Sequence, residues 1–131
     1  MRLETTAADD LVNAFAASLS GGTLVIYAGP RPTTAGTAGL QRVLVRYTLP
    51  APAFMAATNG AALSYPFPLG IIEDTGTAVW AQWVTAAGQV RADLSVGTED
   101  SNDVVLTNAD LERNGTVEVT SATLRLPLGA A

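Results

Sequence analysis

The side chains able to carry acid-base or ligand chemistry in this chain are almost all carboxylates. Twelve Asp and Glu stand with seven basic residues, every one an Arg, and there is no His, Cys or Lys. Without His the chain lacks the one side chain that exchanges protons near neutrality. Without Cys it lacks thiolate ligands, thiol nucleophiles and disulfides. The usual triads and zinc sites are closed to it, and general acid-base work would fall on carboxyl groups with strongly shifted pKa values. The composition therefore predicts a protein that is not an enzyme.

The densest acidic group is "GTEDSNDVVLTNADLERNG", with Glu99, Asp100, Asn102, Asp103, Asp110 and Glu112. These are oxygen ligands of the kind calcium takes, but the alternating spacing, central Gly and bidentate Glu of an EF-hand loop are missing. A solvated acidic turn is the expectation, and no metal or cofactor is assigned. A glycosidase would need two carboxylates across a cleft and aromatic platforms for sugar. Trp80 and Trp83 lie three apart in a strand-like run, which sends them to opposite faces: one into the core, the other outward. An exposed indole suits a protein partner better than a sugar, because no cluster of Asn, Asp and Arg lies beside it in sequence to hold hydroxyls. Arg42 and Arg46 share the polar face of one strand, either as a clamp for a partner's carboxylates or as an ordinary solvated face. Gly36 and Gly39 in "TAGTAG" lack the GKS/T ending of a phosphate loop. Asn114-Gly115-Thr116 matches a glycosylation sequon, but a tight turn explains it fully.

The elements that must position these residues begin with a helix over residues 7–19. Thr6 and Asp9 have the spacing of a capping box, Leu11, Phe15 and Leu19 recur every four residues beside Val12 and Ala16, and Gly21-Gly22 provides the stop. Strand signals follow. "TLVIYA" is a buried run. "QRVLVRYTL" puts Val43, Val45, Tyr47 and Leu49 on one face and Arg42, Arg46 and Thr48 on the other, with Leu44 out of phase. "TAVWAQWVT" and "VRADLSV" form a hairpin through "AAGQ", with Val90, Ala92, Leu94 and Val96 inward, and "DVVLTN" is a further short strand. In "TVEVTSATLRLPL" the apolar phase slips between Val119 and Ala122, which predicts a bulge or bend where the strand changes sheet. Residues 51–74, rich in Pro, read as a crossing pinned by Phe54, Tyr65 and Phe67, and residues 29–39 as a flexible arm or loop. The pattern predicts a mainly β domain spanning residues 1–131: an antiparallel β-sandwich, jelly-roll-like first and immunoglobulin-like second, with one N-terminal α-helix.

Charged residues make up 15% of the chain and mean hydropathy is +0.27. Something other than charge covers part of the surface. Arg without Lys is the bias of protein interfaces, although a GC-rich genome gives the same bias. A net charge of -5 argues against direct nucleic-acid binding. No apolar run is long enough to cross a bilayer, and "MRLETTAADD" is acidic where a signal peptide is basic, so synthesis in the cytoplasm is expected.

The order of the pieces completes the reading. "LVNAFAASL", "GGTLVIYAGPRP", "PAF", "GTAVWAQW" and "DVVLTNADLERNGTVEVTSATLRLPL" together resemble a family of small virion structural proteins of tailed bacteriophages, over nearly the whole chain. The resemblance implies a capsid cement or decoration protein on the outside of the shell, bound across major capsid protein subunits, and it brings no catalytic residue. A carbohydrate-binding virion module and a tail or head-completion component are the alternatives. In this picture the domain is a homo-oligomer, and the arm carrying Arg31, Pro32, Thr33 and Thr34 becomes ordered on a neighbour, with Arg42, Arg46, Trp80 and Trp83 as the other contact residues.

Overall fold

The computed structural model describes residues 4–29, 43–50, 52–65, 67, 70–99 and 102–125. Among them one helix, α1 (Thr5–Ser18), precedes the strands β1 (Thr23–Tyr27), β2 (Val43–Thr48), β3 (Ala61–Leu63), β4 (Gly70–Ile71), β5 (Gly76–Thr77) and β6 (Trp80–Val84). β7 (Val90–Gly97), β8 (Val104–Leu106), β9 (Asp110–Leu111), β10 (Thr116–Val117) and β11 (Val119–Arg125) complete the order.

The helix starts earlier than its sequence pattern suggests because Glu4, not Thr6, caps it. The Glu4 carboxylate accepts from the Thr6 and Ala7 amides at 3.0 and 3.1 Å, which satisfies two of the donors left over at a helix start. Asp9 is thereby released to accept from the Gly60 amide at 2.6 Å. The buried stripe is Ala8, Val12, Ala16 and Leu19, about one residue round from the expected one. Leu11 is exposed, and Phe15 is half-buried beneath the Arg91 guanidinium, 5.6 Å from the ring centre. Gly21 then takes φ 74°, the left-handed stop that the Gly pair predicts.

The strands form a mainly β, curled sheet of seven in the order β2-β1-β6-β7-β8-β11-β3, with two short clips, β10-β4 and β5-β9. The hairpin β6-β7 forms as expected, closed by Thr85 and Gln89. The main core draws on α1 and on strands across the whole sheet, including Leu24, Ile26, Leu44, Trp83, Leu106 and Ala122. The sheet is mixed, not wholly antiparallel as the sequence predicts, because β7 and β8 run parallel. Only six residues, 98–103, separate the two strands in sequence, against the dozen or more that parallel neighbours usually need.

Two bulges explain the residues that broke the alternation. β1 pairs Ile26 with Val45 but Tyr27 with Val43, so Leu44 is the extra residue. Leu44 therefore joins Val45 and Tyr47 in the core, while Val43 packs on the opposite face with Val25, Tyr27 and Trp80. In the β6-β7 hairpin, Trp83 faces Ala92 and Val84 faces Val90, so Arg91 is extra and Val90 leaves the inward row. The slip in the last strand is real: β10 pairs with β4, β11 pairs with β8 and β3, and the register shifts between Val119 and Ser121.

The described residues within 51–74 form more than a crossing between sheets. Asn59 at φ 53° and Gly60 at φ 77° make a two-residue turn that folds residues 53–65 into a hairpin against β11. Phe54 meets Trp83 edge-on at 5.2 Å, and Phe67 stacks on Tyr47 at 5.8 Å. Tyr65, expected as a third pin, is exposed. Gly70 lies flat on Tyr47: an added Cβ would stand 2.6 Å from its Cε1 and 2.7 Å from Val45 Cγ2.

Candidate partner-binding surface

The outer face of β2, β1, β6 and β7 carries Arg46 and Trp80, two of the sequence-predicted contact residues that the structure describes; the third, Trp83, points to the opposite face. Register places Arg46, Val25, Gln82 and Asp93 in one row, and Val43, Tyr27, Trp80 and Ser95 in the next. Arg46 is 54% exposed but is paired with Glu73 at 2.7 Å. An exposed pair of this kind contributes at most about 1 kcal/mol. A partner's carboxylate would have to displace Glu73 to use Arg46.

The two tryptophans correct the expectation that one of them stands outward. Opposite faces are correct, but both rings are fully buried. Trp83 lies in the main core; Trp80 lies in a second cluster with Val25 and Tyr27, stacked on the Tyr27 ring at 4.4 Å and 16°. Neither indole N–H has an acceptor among the described residues. Tyr27 donates to Gln82 Oε1 at 3.2 Å, and Gln82 Nε2 donates to Asp93 Oδ1 at 3.1 Å. Burial pushes the Tyr27 phenol above its ordinary value, with the Asp93 carboxylate adding to the rise and Arg46 opposing it. Arg31, Pro32, Thr33, Thr34 and Arg42 lie outside the described residues, as do residues 30–39 of the arm.

The acidic group of the sequence is dispersed by the fold. Asp103 is engaged with Ser95, Asn102 donates to the Glu99 carbonyl at 3.2 Å, and Asp110 accepts from Thr77 at 3.2 Å. Asp100 lies outside the described residues. Among the described residues no three acidic side chains converge as a metal site would require. An open cleft of about 510 Å³ between the two clips is lined by Thr75, Thr77, Asn108, Asp110, Glu112 and Thr116, with no aromatic side chain on its walls. That lining lacks the platform on which a sugar ring would stack.

What the sequence reading missed is an apolar surface at the far end of the sheet. On the outer face of the 53–65 hairpin, Met55 and Leu63 stand 41% and 52% exposed and Tyr65 40%. Thr123 of β11 is the cross-strand neighbour of Leu63. Two signals for it were present in the sequence: the Asn59-Gly60 turn dipeptide, and the absence of any Asp, Glu, Lys or Arg from residue 47 to residue 72. Further large apolar side chains are exposed at Leu11, Ile71 and Val79.

No protein-family model, curated protein or solved structure matches the chain significantly.

Proposed function

We propose that the chain is a non-enzymatic structural protein of a tailed-bacteriophage particle, a capsid cement or decoration protein lying on the capsid surface across junctions between major capsid protein subunits. The observation that carries this reading is the exposed apolar area: Leu11, Met55, Leu63, Tyr65, Ile71 and Val79 stand 40% to 68% exposed in a chain of low charge. Such side chains, spread over several elements, suit a protein that touches more than one neighbour. A cement protein binds only the assembled seam, so its binding free energy adds to the cost of opening the shell, and many copies sum that increment. The order of sequence blocks that resembles phage virion proteins supports the same role. The finer description of the fold, a sandwich of jelly-roll type, goes with this proposal. The two clips beside the curled sheet are the elements that would make its second layer.

The carbohydrate-binding alternative loses its main ground, because it needs an indole open to a groove and both are buried. The test is addition of the purified protein to shells of the encoding phage assembled without it. Saturable co-sedimentation and a raised temperature of shell opening are expected. Shells that neither retain the protein nor gain heat resistance would overturn the proposal.

A further inference from the structure

Two Asn residues of the chain precede Gly, at Asn59-Gly60 and Asn114-Gly115. In such a pair the backbone nitrogen of the Gly can attack the side-chain amide carbon of the Asn, because no Cβ shields that nitrogen or restricts the rotation that brings it in. Both Asn residues are exposed, and both hold a left-handed φ, 53° and 71°. What differs is the group that holds the attacking nitrogen.

Gly60 is buried, and its N–H donates to the Asp9 carboxylate at 2.6 Å. The nitrogen must shed its proton to attack, and a fixed negative charge beside it opposes that. The turn is anchored as well: Thr58 and Ala61 exchange backbone bonds at 2.8 and 3.1 Å, and the Ala57 N–H donates to Asn13 of α1 at 2.9 Å. Gly115 has no carboxylate on its nitrogen. Its N–H donates to the neutral carbonyl of Glu112 at 2.9 Å, in a turn that joins β9 to β10, strands of two residues each. The other ties are to Ile72, which accepts from the Asn114 N–H and donates to the Gly115 carbonyl, both at 2.9 Å. Short paired segments at the margin of a fold open at far lower cost than its core.

We propose that Asn114 is a site of self-modification, and that Asp9 protects Asn59 from the same reaction. In the opened turn the Gly115 nitrogen forms a bond to Asn114 Cγ, the Cγ–Nδ2 bond breaks, and ammonia leaves with the proton that the Gly115 nitrogen gave up. Water then opens the five-membered imide. Opening at the side-chain carbonyl gives Asp, and opening at the backbone carbonyl gives an isoaspartyl link, in which the main chain runs through the former side chain. That link adds one backbone atom between the two Ile72 bonds, so the pair cannot persist unchanged. The β10-β4 clip beside it, whose Val117 accepts from Tyr47, loosens. Either product also adds a negative charge beside the cleft that Asp110 and Glu112 line. The inference does not depend on the phage assignment.

Incubation of the purified full chain at mildly alkaline pH tests it, with the acid products at residues 59 and 114 followed by peptide mapping and isoaspartyl content by methyltransferase labelling. In the folded chain residue 114 should convert at least about tenfold faster than residue 59. In urea, where neither turn is held, the two should convert at similar rates. D9A should speed conversion at residue 59 and leave residue 114 unchanged, with circular dichroism showing it folded. Equal rates at the two sites in the folded chain would overturn the proposal. So would a residue 114 that stays intact while the urea-unfolded chain converts. Folded D9A with residue 59 still slow would overturn the role of Asp9, and the comparison with urea needs no variant.

Discussion

Asp103 and Ser95 hold each other with three hydrogen bonds. Asp103 Oδ2 accepts from the Ser95 amide at 3.1 Å and from its hydroxyl at 3.3 Å, and the Ser95 Oγ accepts from the Asp103 amide at 2.9 Å. The Asp103 carbonyl also accepts from the Thr123 amide at 2.9 Å. One acidic residue therefore joins β7 and β11 at the place where the sheet changes from antiparallel to parallel. A residue with the right atoms for calcium is instead spent on topology.

Asp103→Ala is expected to lower unfolding free energy by about 1–3 kcal/mol, because the Ser95 amide and hydroxyl lose a charged acceptor. Urea unfolding of D103A, S95A and the double variant should give a coupling of about 0.5–3 kcal/mol. Additive losses would show that the two residues act separately.

Tyr47 reaches across the interior to donate to the Val117 carbonyl at 2.8 Å. Burial first, and the Glu118 carboxylate second, push its phenol above the ordinary value. The folded state therefore favours the neutral phenol, and this contribution is fully present below the unfolded value of about 10 and lost as pH rises beyond it. Tyr47→Phe should cost about 1–3 kcal/mol at neutral pH, since it leaves a buried carbonyl short of its donor. It should also flatten the fall in stability above about pH 10. Tyr27, shifted in the same direction, leaves a residual slope.

The Glu4 cap predicts an acid-side signature. Accepting from the Thr6 and Ala7 amides holds its carboxyl below the ordinary Glu value. The cap is therefore complete above the unfolded value and is lost as pH falls through the lowered folded one. In NMR, the Thr6 and Ala7 amide shifts should titrate together with a midpoint below the ordinary Glu value, and Glu4→Ala should abolish the step. A midpoint at the ordinary value would remove Glu4 from the cap.

Gly70→Ala should destabilise the fold by about 1–3 kcal/mol, the usual cost of overpacking a filled core. The new methyl would stand 2.6 Å from the Tyr47 ring and displace it from Val117. Thermal unfolding of G70A in the Tyr47→Phe background should show a smaller loss than in the parent, because that hydrogen bond is already gone.

Much of this architecture was legible in the sequence. The helix, β1, β2, the β6-β7 hairpin and the bend in the final strand follow from period and turn chemistry, which are local. What was hidden is what depends on pairing. Leu44 and Val90 changed faces because bulges shift their phase, and a single strand does not reveal its partner's register. Glu4 caps the helix in place of Thr6 and leaves Asp9 to Gly60, a contact across the fold that local spacing does not reveal. The 53–65 hairpin was masked by the surrounding prolines, although Asn59-Gly60 announced it. One of Trp80 and Trp83 was expected to stand outward because alternation gives a face but not what lies over it; both are buried. Of the predicted contact residues that are described, Arg46 is at the surface, already paired, and the exposed apolar face lies instead at Met55, Leu63 and Tyr65.

The most direct measurement is a density map of the particle from the phage proposed to encode this chain, with copies counted and placed. The account predicts many copies on the outer shell, each bridging major capsid subunits and contacting them through exposed apolar side chains. A single ring at one vertex, or particles that lack the chain altogether, would contradict it.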